Sequence, residues 1–165
     1  MPAIAATFGV GAEEAQLTLS LFMVGIAVGQ LVHGPLSDRF GRKPTIVAGL
    51  VLTVATTLGC AAATSVEMLM AFRFLHGFAA ATGWIVSRAV VRDRHERSEA
   101  ARVISVMMFF HATAPLVTPI LGAHLTARYG WQAMFLFIAL YNALVTATYL
   151  LVFRETLERR DPDAL

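Results

Sequence analysis

Five runs of about twenty apolar residues, each parted from the next by a short polar break, decide what this chain can become. A helix needs about 20 predominantly apolar residues to cross the hydrocarbon core of a bilayer. The runs that match are Leu17 to Leu36, Thr45 to Thr64, Met68 to Val91, Val103 to Ala123 and Trp131 to Phe153. Arg73 and Arg88 interrupt the third. Composition agrees, with 57% hydrophobic and 15% charged residues. A soluble domain carries roughly 45–50% and about 25%. There is too little charge here to coat so much apolar sequence. The expected fold is therefore all-α, a polytopic membrane protein of five transmembrane helices with the lipid bilayer as its surroundings.

The charges set a direction. Lys and Arg gather in loops on the cytoplasmic side. The first break holds Arg39, Arg42 and Lys43. The end of the third span and the loop after it hold Arg88, Arg92, Arg94, Arg97 and Arg102, and the tail holds Arg154, Arg159 and Arg160. Eleven of the thirteen basic residues thus fall on one face. Arg128 lies on the other, and Arg73 lies inside a span. This places the N-terminus outside and the C-terminus in the cytoplasm of a multi-pass cell-membrane protein. A nucleic-acid-binding surface would not alternate in this way, so no nucleic-acid partner is expected. The expected layout is a short outer segment over residues 1–16, a membrane domain over 17–153 and a cytoplasmic tail over 154–165.

Several chemistries lack their residues. The single cysteine, Cys60, sits in an apolar run, rules out an internal disulfide and reads as a small packed side chain. No HExxH, paired-carboxylate or phosphate-loop motif appears. Neither an enzyme activity, a cofactor nor a metal site is expected. The first sixteen residues have no basic stretch before an apolar core, so they do not form a signal peptide.

The first break, GPLSDRFGRKP from Gly34 to Pro44, is richer than a turn requires. Gly41 can take the positive φ of a turn. Pro44 suits the first turn of the next helix. Gly34 is expected to let a neighbouring backbone approach. Asp38 among Arg39, Arg42 and Lys43 suggests a specific ion pair or helix-end contact.

The pattern of Gly34, Leu36, Asp38, Arg39, Gly41, Arg42 and Lys43 resembles the signature of the major facilitator superfamily, found between that family's second and third helices. LMAFRFLHGFAAA, Leu69 to Ala81, looks like the fourth-helix motif of the drug:proton antiporters. Arg73 and Gly77 match it, while His76 stands where Gln is usual. APLVTPILGA, Ala114 to Ala123, looks like their fifth-helix motif, matching at Pro119 and Gly122. With RDRHERSEAAR, the whole is most similar to the bicyclomycin/chloramphenicol-resistance branch.

The resemblance implies an all-α bundle in which these five spans are helices two to six of a six-helix half. It implies a proton-coupled efflux transporter of the inner membrane, with small drugs or metabolites and protons as partners. It also implies that the first helix and the second six-helix half lie outside this chain, so that a missing half or another subunit is a further partner and the chain alone is inactive. In the family the hairpin acid locks one state of the transporter, which assigns that role to Asp38. A membrane remnant without transport activity, or a regulatory subunit pairing with a full-length transporter, is the alternative.

Within the spans, Arg73, Gly77, Ala80, Trp84 and Arg88 follow helical spacing and share a face. Arg73 either meets a cavity or partner or snorkels to the outer headgroups. His76 and His111 are candidate proton carriers or hydrogen-bonded packing residues. Arg73, His76, Gly77, Trp84 and His111 are therefore the transport-path candidates. Pro115, Pro119 and Gly122 are candidates for a kink and a gate. Gly25 and Gly29 form a close-packing stripe. LSDRFG, Leu36 to Gly41, is echoed by LTARYG, Leu125 to Gly130, as an inverted repeat would require.

Overall fold

The structure is a computed structural model and describes residues 2–153. Its described residues form helices and connecting turns: α1 (Pro2–Phe8), α2 (Ala12–Phe40), α3 (Arg42–Ala61), α4 (Val66–Arg94), α5 (Arg97–Tyr129) and α6 (Trp131–Val152). The last five are each long and apolar enough to cross a membrane. The expected tail, 154–165, lies outside the described residues.

The spans are longer than the apolar runs alone. α2 starts at Ala12 rather than Leu17, because Glu13 and Glu14 favour a helix N-terminus and the Glu14 carboxylate accepts a hydrogen bond from Gly11 N–H at 3.3 Å. It also runs on through Gly34 and Pro35 to Phe40. GPLSDRFGRKP is thus not an extended loop. Gly41 alone separates two helices, at φ 106°. Proline removes one backbone donor, and a long helix packed on its neighbours tolerates that loss. α5 likewise runs from Arg97 to Tyr129, well beyond the expected Val103 to Ala123, and continues through Pro115 and Pro119. Between α4 and α5 only His95 and Glu96 remain outside helix. The expected short outer segment holds the seven-residue helix α1 and the first residues of α2.

The centre of the bundle is the crossing of α2 with α4, its most extensive helix contact. Two glycines of α2 and one of α4 make it. A Cβ at Gly25 would overlap the Phe74 carbonyl oxygen and lie 2.9 Å from Phe78 N. A Cβ at Gly77 would overlap the Phe22 carbonyl and lie 3.1 Å from Ile26 N. The backbones touch, as small residues at a membrane helix interface allow. Gly34 does not serve this way, since nothing lies within 4 Å of its would-be Cβ. The stripe that matters, Gly25 and Gly29, lies about two and a half and one and a half turns nearer the N-terminus.

α3 packs against α4 and α6, and α6 against α5. A small cluster closes one end: Ile4, Ala15, Cys60, Ala63, Leu69, Trp131 and Phe135 are buried together. Trp131 Nε1 donates to Thr7 Oγ1 at 3.0 Å, which ties α1 to the start of α6. Cys60 is fully buried there, as its apolar setting led one to expect. Elsewhere large apolar side chains point outward, among them Leu31, Phe110, Leu116, Ile120 and Leu151. Such a surface suits a hydrocarbon solvent and would be a severe liability in water.

Candidate functional site

Arg42 is the first residue of α3, placed there by the turn at Gly41. It is an arginine at 7% exposure, and its guanidinium reaches from α3 to both α2 and α4. Nη1 donates to Asp38 and, at 2.6 Å, to Ser37 Oγ, both in the last turn of α2. Nε donates to Asp93 Oδ2 at 2.9 Å, near the end of α4. Ser37 is fully buried and also donates to the Gly34 carbonyl at 2.8 Å. One residue along, Lys43 Nζ donates to the Phe153 carbonyl at 2.6 Å, just past α6. Two adjacent basic residues therefore bind the ends of α2, α3, α4 and α6 at one face of the bundle.

The planar fork of Arg suits this task, since it serves several oxygens at fixed angles. A buried cation of this kind is tolerable only while its acids stay in place. Removing one partner of a buried pair costs about 3–5 kcal/mol. The sequence signalled Asp38 and Arg42. It did not signal Asp93 or Ser37, although Asp93 stands out as the one acid in Arg88 to Arg94. Arg39 lies over the Phe40 ring, 5.5 Å from its centroid, away from this node. Leu36 is half-buried beside it.

The transport-path candidates separate into two groups. Arg73, His76 and Gly77 all meet Phe22 of α2, a residue the sequence reading passed over. The Arg73 guanidinium lies 4.3 Å from the Phe22 ring centroid and 5.8 Å from that of Phe135. His76 packs on the same ring at 5.2 Å. Gly77 belongs to the helix crossing. His76 is buried, and its Nδ1 has no hydrogen-bond partner. It lines a small cavity of about 180 Å³ with Gly49, Thr53, Ala80 and Asn142. Arg73 therefore rests on aromatic faces within the bundle. His33, also in α2, is buried with its Nδ1 2.7 Å from the Gly29 carbonyl.

The second group is Trp84, Arg88 and His111. The indole stacks on His111 with centroids 4.4 Å apart and planes 28° from parallel. The Arg88 guanidinium lies 3.9 Å from the Trp84 centroid. This group bridges α4 and α5 and lies at the open side of the bundle, where His111 is exposed. Pro115 and Pro119 are exposed on the same helix, and Gly122 is half-buried near Met134.

The echo noted in the sequence is repeated in the backbone. Gly41 and Gly130 both take positive φ, 106° and 83°. Each ends one helix, begins the next and donates its N–H to the carbonyl four residues back, Ser37 and Thr126, at 3.1 Å. Three helix lengths separate the two corners, so they lie at opposite ends of the bundle. Ala127 stands where Asp38 stands, and among the described residues these ion pairs gather at the Gly41 corner alone.

Apolar spanning helices with matching glycine corners at opposite ends, only the Gly41 corner carrying ion pairs among the described residues, are what an inverted repeat in a polytopic membrane protein looks like. The chain belongs to the Major Facilitator Superfamily, whose family model matches residues 1–164. It is 36% identical over 153 residues to a bicyclomycin resistance protein homolog of Haemophilus influenzae, covering 93% of this chain and 38% of that protein. It is 34% identical over 168 residues to an uncharacterized MFS-type transporter, YdgK, of Bacillus subtilis, covering 99% and 42%. Identity to the multidrug resistance protein MdtL of Escherichia coli O157:H7 is 29% over 156 residues, covering 94% and 40%. Among solved structures, the human organic anion transporter MFSD10 (TETRAN) superposes with a TM-score of 0.65 at 25% identity, covering 90% of this chain and 34% of that one. The chain thus spans about two fifths of the length of these curated relatives.

Proposed function

We propose that this chain forms helices two to six of the first half of a proton-coupled efflux transporter for small drugs or metabolites. It works by alternating access, in a bacterial inner membrane, with the corner at Gly41 in the cytoplasm. The observation that supports this reading best is the Arg42 node. A buried guanidinium shared by Asp38, Ser37 and Asp93 ties the ends of three helices. Its contacts can be made or broken as a set when α2 and α4 shift against α3, which is what a conformational latch requires. Small-molecule substrates and protons come with the family and with the drug-resistance relatives.

Two measurements test it. Liposomes holding only the 165-residue chain should show no uptake driven by a pH gradient, because the midplane site of such transporters lies between two halves. In a full-length protein carrying this segment, Asp38→Asn should lower efflux several-fold at matched membrane abundance. It should also change the labelling of cysteines placed on the two faces. Unchanged efflux together with unchanged labelling would reduce Asp38 to an ordinary helix-end residue.

A further inference from the structure

The described spans contain cations but no anions in their interiors. Glu13, Glu14, Glu67 and Glu99 sit in first turns, and Asp38 and Asp93 sit at helix ends in the Arg42 node. Arg73 and Arg88 lie between. Counted from the middle of α4 at 1.5 Å per residue, Arg88 is about 12 Å towards one end and Trp84 about 6 Å. His111 is within about 3 Å of the middle of α5. A charge inside a span is costly, though less so near its edge where Arg88 lies, and normally has a partner. Arg73 has aromatic faces on two sides. Arg88 has one face on Trp84, and its Nε is buried without an acceptor. No carboxylate of a described residue reaches it.

We infer that Trp84, Arg88 and His111 form a binding site for a small organic anion, a carboxylate or phosphate ester with an apolar body. The anionic group takes the η nitrogens of Arg88, whose fork suits two oxygens at once. Trp84 holds the guanidinium in place through the ring contact at 3.9 Å, so little ordering remains to be done on binding. His111 stacks on the indole and carries at least one N–H donor in either protonation state. Its neighbours one turn away on α5, Met108 and Pro115, are exposed and supply an apolar wall. The site names the substrate class of the proposed transporter, and it rests on that reading for its purpose. Binding itself does not depend on transport.

Benzoate, benzamide and benzylamine separate charge from shape. The chain holds two tryptophans, Trp84 and Trp131. In phosphatidylcholine nanodiscs the indole N–H resonances of ¹⁵N-labelled protein report each one separately. Benzoate should shift the Trp84 resonance saturably and leave Trp131 still. Benzamide and benzylamine should not compete. Arg88→Gln should weaken benzoate binding by about tenfold or more, and Arg88→Lys should retain more of it. An equal response to benzoate and benzamide would overturn the proposal without any variant, since the site would then read only shape. Equal losses in the Gln and Lys variants, with Trp131 unmoved, would overturn it too, because packing on Trp84 would then be the cause. A third adverse result is loss of the benzoate response in nanodiscs containing phosphatidylglycerol, which would assign Arg88 to a lipid headgroup. None of these results bears on the Asp38 labelling test, so the substrate class and the latch stand or fall separately.

Discussion

Arg42 reaches Asp93 across 51 residues of sequence, with Nε 2.9 Å from the carboxylate of another helix. The pair is more than a surface ion pair, because Arg42 is buried and Asp93 is three-quarters covered. A double-mutant cycle with Arg42→Ala and Asp93→Ala should give a coupling of about 1–3 kcal/mol in unfolding measured in detergent. Arg42→Ala should be the costlier single change, since it leaves both Asp38 and Asp93 without their shared donor. Additive losses would mean that the two act separately.

Glycine positions in α2 should differ sharply in tolerance. Gly25→Val drives a side chain into the Phe74 carbonyl and should abolish the α2–α4 crossing. Gly34→Ala meets open space and should be neutral, or stabilising by about 0.4–1 kcal/mol through helix propensity. Thermal unfolding of the two variants in the same detergent checks this. A milder effect at Gly25 than at Gly34 would contradict the packing.

Sidedness can be read with cysteine labels in a Cys60→Ser background. Native Cys60 is fully buried, so its own labelling should be slow. A cysteine at Glu96 should react only from the cytoplasm, and one at Thr126 only from outside. The reason is the gathering of Lys and Arg on one face. Labelling of both positions from one side would refute the five-span path.

The α1 helix should depend on one hydrogen bond. Trp131→Phe keeps the ring packing but removes the donor to Thr7. The expected loss is about 0.5–1.5 kcal/mol. Hydrogen exchange should rise in residues 2–8 and stay unchanged in α3 and α4. Exchange rising equally in all helices would show that the bond supports the whole bundle instead.

The number of spans and the main corner were legible because they depend on local quantities. Apolar length announces a span, and Gly41 announces a positive φ. The helix ends were less legible. Gly34 and Pro35 look like a break, yet α2 passes through them, because one lost backbone bond is small beside the packing of a long helix. Partners distant in sequence were the least legible. Nothing near Arg42 points to Asp93, and nothing near Arg73 points to Phe22. The stack of Trp84 on His111 joins two residues that the sequence put forward singly. The counterpart of the Gly41 corner at Gly130 was visible as a pattern, and its matching backbone geometry gives that pattern a cause.

Close backbone contact at Gly25, Gly29 and Gly77 makes the crossing of α2 and α4 a pivot with little side-chain bulk. Both are 29 residues long. The arm from Gly25 to Phe40 measures about 22 Å at 1.5 Å per residue. A rotation of about 5° at the pivot would swing its tip by about 2 Å, with little repacking where the backbones touch. That swing carries Ser37 and Asp38 out of hydrogen-bonding range of a stationary donor. The absence of three side chains thus gives the charged corner its leverage: a rotation too small to disturb the packing where it starts becomes, at the far end of the arm, the difference between a bond and a gap.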